Sequence, residues 1–198
     1  MPRDRYATDG SIESAYQPGS RGRVLANIAG IARVRDMEQA ESDALESLTF
    51  ALFDEVAIDQ RFTVDDLCTW HRRWLGGIYA WAGNFRQVNM GKGGFPFASA
   101  HLLPRLMAEF GRAQLGALTP CSGMDDRALV HALAVTHAEL ILIHPFREGN
   151  GRLTRLLNTL MALQAGLPGL DFGGIRGRTK QAYIAAIQAA LGQDYGAL

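Results

Sequence analysis

The residues that could carry chemistry are concentrated between His144 and Arg155. In residues 141–157, ILIHPFREGNGRLTRLL, an apolar run stops at a histidine and a proline and resumes after a polar interval. The interval contains an acid, an asparagine between two glycines, and two arginines three residues apart. A proton acceptor, a carboxylate and two guanidinium groups in this order suit the transfer of a phosphorus-containing group.

The two helices that must flank this interval would form an anion site where they meet. Pro145 disfavours helical backbone at His144, so the preceding helix should end there. A second helix should begin near Asn150, and the start of a helix has free backbone N–H groups and the positive end of its dipole. Gly149 and Gly151 let a ligand approach the backbone closely. This arrangement predicts a site for a di- or triphosphate.

Four side chains add chemistry to that site. Arg152 and Arg155 lie on one face of the second helix, so both can lean toward the same anion. Glu148 is placed to hold a Mg²⁺ ion that bridges phosphates. His144 can take a proton from a hydroxyl nucleophile. Together they indicate transfer of part of a nucleoside triphosphate to an alcohol or a phenol.

A purely structural interpretation is a tight helix–loop–helix corner held by an ion pair between Glu148 and an arginine. It explains the glycines and the acid, but it leaves His144 and the two arginines gathered at one corner by chance. We therefore favour the functional interpretation.

The string from His144 to Arg155, HPFREGNGRLTR, resembles the Fic family motif, H-x-F-x-[D/E]-G-N-G-R-x-x-R, at every defined position. The resemblance extends over residues 16–195 and includes YQPGSRGRVLANIAGI and IYAWAGNFR. It implies an all-α Fic fold, a helical bundle with a small β-hairpin flap near the active site. It also implies a protein adenylyltransferase that moves AMP from ATP to a hydroxyl of a target protein and releases pyrophosphate.

The resemblance assigns a role to each motif residue. His144 would be the general base that deprotonates the target Tyr, Thr or Ser, and Glu148 would bind Mg²⁺ between the α- and β-phosphates. Arg152 would hold the β-phosphate and Arg155 the γ-phosphate of the co-substrate ATP. The backbone amides of the anion hole would be those of Gly149, Asn150 and Gly151.

Residues 83–100, GNFRQVNMGKGGFPFASA, are predicted to form a β-hairpin or extended loop among the helices. In Fic proteins such a flap pairs with an extended target segment and positions its hydroxyl over the histidine. Alternatively, Phe95 and Phe97 anchor a two-stranded element, in which alternation lets only one of them face the core. The predicted flap residues are Lys92, Gly93, Gly94, Phe95, Pro96 and Phe97.

Tyr183, in the last predicted helix, occupies a position where Fic proteins often line the adenine pocket. Packing against the core explains the same residue equally well. His131 and His137 lie off a shared helix face and are predicted to be core or interface residues rather than a metal pair. His71 is predicted to pack the early helix with its neighbouring tryptophans.

The donor and the activity each have an alternative. Gly149 and Gly151 are both present, whereas a phosphate-transferring relative, Doc, departs from this consensus, so AMP is favoured over phosphate. Phosphotransfer, or transfer of another nucleotide, is the first alternative. A non-catalytic module that binds a nucleotide or a peptide is the second, although it would not need His144 or Glu148.

Many Fic proteins are restrained by a helix with the pattern [S/T]-x-x-x-E-[G/N], whose glutamate pairs with the second motif arginine, here Arg155. Only SDALES, residues 42–47, approaches this pattern, and Ser47 breaks its last position. We interpret Glu46 as a surface acid of an amphipathic helix. The resemblance thus implies a toxin whose inhibitory glutamate comes from a separate antitoxin, or from a terminal segment missing from this chain.

The elements that must position these residues are mainly helices. Apolar residues that recur every three or four positions predict them, and Thr63 and the acids at 125 and 126 mark two N-termini. Residues 1–19 are polar and are predicted to form an N-terminal arm, followed by a single Fic domain over 20–195. The predicted helices cover residues 36–56, 63–75, 100–115, 125–143, 150–166 and 179–191.

Composition narrows the class of protein. The 198 residues carry 20 basic and 20 acidic side chains, and this zero net charge argues against nucleic-acid binding. No run of about 18 apolar residues occurs, which argues against a membrane protein. Cys68 and Cys121 lack metal-type spacing, and the N-terminus has no apolar signal. We expect a cytoplasmic protein, with export as an effector and the oligomeric state left open.

Overall fold

The computed structural model describes residues 7–8 and 12–198, and these residues are mostly helical, as predicted. The α-helices are α1 (Val34–Glu55), α2 (Val64–Leu75), α3 (Leu103–Phe110), α4 (Gly116–Leu118), α5 (Asp126–Ile143), α6 (Asn150–Gln164) and α7 (Arg178–Ala189). The strands are β1 (Ala7–Thr8), β2 (Met90–Lys92) and β3 (Phe95–Pro96). Within the described ranges, no helix combines the length and the apolar character that a membrane crossing requires.

The predicted helix boundaries agree closely with the observed ones. The largest difference follows α3, where a π-helical turn at Gly111–Leu115 leads into α4 and carries the helical path to Leu118. α5 begins where the acids predicted, because the Asp125 side chain accepts a hydrogen bond of 2.8 Å from the backbone N–H of Ala128. The periodic pattern therefore identified the helices, and the capping residue identified this start.

The described residues divide into two compact units. The first contains the chain up to Asp54, residues 65–105 and the loop 145–149. The second contains residues 55–64, 106–144 and 150–198. The motif is continuous along the chain, so the first unit carries its loop and the second carries His144 and the start of α6.

In the first unit, a buried acid ties α1 to α2 and to the turn that follows α2. Trp74 Nε1 donates a hydrogen bond of 2.8 Å to the backbone oxygen of Glu41, and the Tyr79 hydroxyl donates one of 2.7 Å to Glu41 Oε1. Burying a carboxylate is costly unless it is hydrogen-bonded, so the Tyr79 bond offsets part of this cost, while the Trp74 bond joins α2 to the backbone of α1. The buried apolar side chains of α1 and α2 include Leu48, Leu52, Leu67, Trp70 and Leu75.

The predicted hairpin is confirmed as β2 and β3, which pair in antiparallel fashion through Lys92 and Phe95. Gly93 and Gly94 make the turn, and both have positive φ angles, 60° and 83°, as a tight two-residue hairpin turn requires. The buried Arg86 donates hydrogen bonds to carbonyl oxygens on both sides of the hairpin. The sequence did not predict β1, which pairs with the other edge of β2 and makes a three-stranded sheet in the order β1-β2-β3.

In the second unit, α5 and α6 pack against each other along apolar faces. The buried Gln164, the last residue of α6, joins two loops to the end of this helix. Its Nε2 atom donates to the carbonyl oxygens of Ala57, at 3.2 Å, and Gln60, at 2.8 Å. Its Oε1 atom accepts from the backbone N–H of Cys121 at 3.2 Å. One amide thus satisfies backbone groups of two loops.

We expect the substitution Gln164→Leu to lower the free energy of unfolding by about 2–4 kcal/mol, because it leaves buried backbone groups without hydrogen bonds. Gln188→Leu, at an exposed position of α7, is the matched control and should change this free energy by no more than about 0.5 kcal/mol. Urea unfolding monitored by circular dichroism measures both values. Equal effects of the two substitutions would contradict this role of Gln164.

Candidate functional site

His144 ends α5 in a conformation that few residues adopt. Its φ and ψ angles are 52° and 59°, in the left-handed region, where histidine is tolerated better than most residues. The side chain is buried, and its Nδ1 atom lies 3.1 Å from the carbonyl oxygen of Ile141. A carbonyl can only accept, so Nδ1 carries the proton and the basic lone pair is on Nε2. The helix end thus presents a histidine whose Nδ1 atom is the donor and whose Nε2 atom is the basic one in the neutral ring.

The loop 145–149 lies buried in the first unit and is held through its backbone. The N–H of Arg86 donates to the carbonyl oxygen of Pro145 at 2.9 Å. Phe146 points inward and is fully buried, and its ring stacks on His71 with 4.0 Å between ring centroids. Arg147 Nε donates to the backbone oxygen of Glu13 at 2.9 Å. The loop is therefore an ordered part of the core.

Glu148 and Gly149 form the turn before α6. The Glu148 carboxylate is buried, and its Oε1 atom accepts the N–H of Gly149 at 2.9 Å. Gly149 has a φ angle of +83° and rests against Trp74, so that a Cβ atom here would lie 2.7 Å from Trp74 Cζ3. Only glycine satisfies both the backbone angle and this close approach. The structure thus explains why the motif has glycine at position 149.

In the second unit, the first two turns of α6 present backbone N–H groups and two arginines. Asn150 is buried, and its carbonyl oxygen accepts the hydroxyl of Thr154 at 2.8 Å. Arg152 and Arg155 are half-buried side chains of this helix. A helix of 15 residues has a positive end that attracts anions. This helix start has the components of an anion site.

A hydrogen-bond chain in the second unit fixes Tyr183, the predicted adenine-pocket residue. The Tyr183 hydroxyl lies 2.7 Å from His137 Nε2, and His137 Nδ1 lies 2.9 Å from Asn158 Oδ1. Asn158 Nδ2 donates to the carbonyl oxygen of Leu133 at 2.9 Å. This last bond sets the orientation of the amide, so Nδ1 of His137 donates to Asn158 and Nε2 accepts from Tyr183.

Burial keeps this chain neutral. It lowers the pKa of His137, and the positive charge of Arg155 lowers it too, although the hydrogen bond to Asn158 acts in the opposite direction. Burial also raises the pKa of the Tyr183 hydroxyl. The His137 ring stacks on Phe172 at 5.9 Å, and the Arg155 guanidinium carbon lies 5.9 Å from the centre of the same ring. Tyr183 and Arg155 therefore border one aromatic cluster.

The structure brings the predicted flap residues together in one hairpin. Lys92, Gly93 and Gly94 are exposed at the turn, whereas Phe95 and Phe97 are half-buried with 6.0 Å between their ring centroids. Phe97 packs against a buried pair of residues, Val88 and Met90. Glu46 is exposed on α1.

Four side chains that contact predicted site residues or their hydrogen-bond partners were not predicted to do so. His137 was expected in the core and is buried there, but periodicity gave no sign of its bond to Tyr183. His71 was expected to pack α2, and it also contacts the motif loop. Asn158 and Phe172 were not singled out at all. His131, expected in the core or an interface, is exposed.

Comparison with known proteins explains the motif. The Fic/DOC family matches residues 61–162, a range that includes α2, the hairpin, α5 and most of α6. The chain belongs to the Fic/DOC family. This membership confirms the resemblance seen in the motif and the expected all-α fold with a small β-element.

Similar Fic proteins carry adenylyltransferase names. The chain is 29% identical over 147 residues to the protein adenylyltransferase VbhT of Bartonella schoenbuchensis. This match covers 72% of this chain and 30% of VbhT. A second match covers 28% of the protein adenylyltransferase Fic of Nematostella vectensis. The chain therefore spans less than a third of the length of VbhT and of this second protein. It is 31% identical over 166 residues to the probable protein adenylyltransferase Fic of Salmonella typhimurium, covering 80% of this chain and 78% of that protein.

Solved Fic domains share the fold. The N-terminal Fic domain of an effector protein from Bartonella sp. AR 15-3 superposes with a TM-score of 0.73 at 21% identity, covering 92% of this chain and 86% of that one. The BepC protein of Bartonella tribocorum, solved with bound AMPPNP, has a TM-score of 0.68 at 20% identity and covers 87% of both chains. At these identities the likeness shows a common architecture.

We expect Gly149→Ala to destabilise this Fic protein more than Gly166→Ala does. Both glycines have positive φ angles, so each substitution should cost about 1–2 kcal/mol in backbone strain. A Cβ atom at Gly166 meets nothing within 4 Å, whereas at Gly149 it meets Trp74. This overlap should cost about 1–3 kcal/mol more. Urea unfolding measures the free energy of unfolding of the two variants. An equal decrease in both would show that the contact with Trp74 does not restrict the residue at position 149.

The lowered pKa of His137 predicts a pH-dependent stability. As the pH falls through the ordinary histidine value of about 6.5, the unfolded chain takes up a proton that folded His137 resists. The free energy of unfolding should therefore fall from pH 7.5 to pH 5, and it should fall less in His137→Gln. His131→Gln, at an exposed position on the same helix, should show the same decrease in the free energy of unfolding as the wild type. A fall of the same size in His137→Gln would exclude His137 as its source.

Proposed function

We propose that this Fic protein is an adenylyltransferase that moves AMP from ATP to a Tyr, Thr or Ser hydroxyl of a target protein. The observation that carries the proposal is the arrangement of the motif segment. A buried histidine with Nδ1 as its donor, a carboxylate turn and an arginine-bearing helix start follow one another within twelve residues, His144 to Arg155. The names of the adenylyltransferase relatives support it.

The nucleotide phosphates would bind at the start of α6. The backbone amides of Gly149, Asn150 and Gly151 would form the anion hole, since the first N–H groups of a helix have no partners within the helix. Arg152 would hold the β-phosphate and Arg155 the γ-phosphate. Preorganised donors of this kind stabilise the charge that develops on a phosphoryl group during transfer.

Glu148 would hold Mg²⁺ together with the phosphates. Among the described residues, no group of three or more His, Cys, Asp or Glu side chains is placed to hold a metal ion. A single carboxylate next to a phosphate site nevertheless fits Mg²⁺, which is usually bound by one or two carboxylates plus substrate phosphates. The ion would neutralise phosphate charge and help to orient the triphosphate.

His144 would act as the general base. Its Nε2 atom would take the proton from the target hydroxyl while that oxygen forms a bond to the α-phosphorus. The bond between the α-phosphorus and the bridging oxygen would break, and pyrophosphate would leave. The proton that His144 gains is then lost to solvent, which restores the neutral ring. The target then carries AMP in an ester bond.

Tyr183 would line the adenine side of the nucleotide site, with its hydroxyl held by His137. The flap residues would contact the target, since Lys92, Gly93 and Gly94 are exposed at the hairpin turn and strand addition is a common mode of peptide recognition. We also propose that residues 20–195 function as one Fic domain preceded in sequence by an arm over residues 1–19, of which residues 1–6 and 9–11 lie outside the described part of the chain. We propose that the protein acts in a cytoplasm, where ATP is available.

A separate antitoxin would provide the inhibitory glutamate. Glu46 lies exposed on α1, which is consistent with its interpretation as a surface acid, and the SDALES segment lacks the last residue of the inhibitory pattern. The glutamate would pair with Arg155 and prevent it from holding the γ-phosphate. The protein would then be a toxin that is active only without its partner.

We expect that incubation with Mg²⁺ and ATP labelled at the α-phosphate will label the protein itself or a band in a cell lysate. His144→Ala should lower the rate by about 10²–10⁴, the usual contribution of a general base. It should leave ADP binding and the circular dichroism spectrum unchanged. His131→Ala, a histidine exposed on the same helix, is the matched control and should label like the wild type.

Other outcomes select between the alternatives. Label from γ-labelled ATP but not from α-labelled ATP would replace AMP transfer with phosphotransfer. Retained ADP binding without label from either form would indicate a binding module or an inhibited state. A large gain of labelling in Glu46→Gly would identify the inhibited state and would overturn the interpretation of Glu46 as a surface acid.

A further inference from the structure

His71 is a fully buried histidine of α2 whose two ring nitrogens both contact backbone atoms. The N–H of Gly83 donates to Nδ1 at 2.8 Å. Nε2 lies 3.0 Å from the carbonyl oxygen of Glu148. An N–H group can only donate, so Nδ1 is the acceptor, and Nε2 therefore carries the proton and donates to Glu148. The partners of His71 thus define a single neutral tautomer.

The bond to Glu148 sets the direction of the next backbone N–H. In a trans peptide the C=O and N–H groups point in opposite directions. With the Glu148 carbonyl held by His71, the N–H of Gly149 must point away from His71. There it already meets an anion, because it donates to Glu148 Oε1 at 2.9 Å. The N–H that would begin the anion hole is thus presented to a negatively charged oxygen.

The ring of His71 is itself held in place. It stacks on Phe146 with an angle of 10° between the planes, and its centroid lies 6.1 Å from that of the Trp74 ring in a T-shaped arrangement. Gly149 rests against the same Trp74. Glycine can adopt both signs of φ, so its own backbone does little to oppose rotation of the preceding peptide. The hydrogen bond from His71 opposes that rotation directly.

We infer that His71 is a positioning residue of the nucleotide site: it fixes the peptide between Glu148 and Gly149 so that the Gly149 N–H faces the phosphates. The Glu148 carboxylate holds this N–H until a phosphate oxygen replaces it. The inference rests on the proposed function, since it takes a nucleotide phosphate as the incoming anion. His71 lies outside the motif, and through this hydrogen bond it would contribute to the nucleotide site.

Two conservative variants separate the two hydrogen bonds of His71. The amide nitrogen of Gln can occupy the place of Nε2, so His71→Gln can still donate to the Glu148 carbonyl. The amide of Asn reaches only the place of Nδ1, so His71→Asn keeps a polar partner for Gly83 but loses the bond to Glu148. His71→Phe keeps the stack on Phe146 and loses both bonds. If His71 only fills space, the His71→Gln and His71→Asn variants should give the same results in the measurements below.

The first measurement is hydrogen exchange of the Gly149 amide, observed by NMR without nucleotide. We expect exchange to be about tenfold faster in His71→Asn and in His71→Phe than in the wild type, because the peptide is no longer held. His71→Gln should exchange like the wild type. Equal exchange in the Asn and Gln variants would overturn the inference.

The second measurement is the affinity for ADP with Mg²⁺ and, separately, for adenosine, by calorimetry. His71→Asn should bind ADP about tenfold more weakly, since one phosphate donor is misdirected, and should bind adenosine as the wild type does. His71→Gln should retain both affinities. A parallel loss of ADP and adenosine binding in His71→Asn would indicate general damage and would overturn the inference.

Label transfer distinguishes this inference from the proposed function. If the wild type transfers no AMP but Gly149 exchange and ADP affinity respond as described, adenylyl transfer fails and the positioning role of His71 stands. If the wild type transfers AMP and His71→Asn does so at the same rate and with the same KM for ATP, the inference fails and the proposed function stands.

Discussion

A buried loop must satisfy its own backbone polar groups, and this constraint governs the motif loop and everything attached to it. Residues 145–149 are buried, so each carbonyl or N–H left without a partner would cost about 1–3 kcal/mol. Partners come from outside the loop, namely the N–H of Arg86 for Pro145 and the ring of His71 for Glu148. Arg86 in turn also binds both sides of the hairpin. The loop therefore owes its shape to α2 and to the residues that precede β2.

The parts of the fold that sequence predicts well are those in which the signal is local. Helices repeat their apolar residues every three or four positions, and Asp125 caps α5 within its own first turn. Gly93 and Gly94 similarly mark a hairpin turn in two adjacent residues. The motif was interpretable for the same reason, since its base, acid, glycines and arginines lie within one short segment. Pairing of β1 with β2 could not be predicted, because a two-residue strand has no periodicity and its partner is more than eighty residues away.

The histidines show what local patterns cannot reveal. His71, His137 and His144 are all buried, and periodicity predicted no more than burial for the first two. The partners of His71 and His137 are distant in sequence, so no local pattern predicts the hydrogen bonds that define their tautomers. His71 and His137 each use both ring nitrogens on neutral groups, which suits a fixed structural link. His144 has its Nδ1 directed at its own helix, which leaves Nε2 as the candidate basic atom. The same residue type thus serves as a peptide anchor, a link in a hydrogen-bond chain and a candidate base.

Pro96 gives the sheet an edge that can accept a hydrogen bond but cannot donate one. The N–H of Phe97 donates inward to the carbonyl oxygen of Met90, so by strand alternation the backbone groups of Pro96 face outward. Proline has no N–H, which leaves the outer edge of β3 with a carbonyl at that position. A fourth strand added there would have to donate at this point. The same asymmetry discourages two copies of the sheet from joining edge to edge, since two β3 edges would bring acceptor against acceptor at this position.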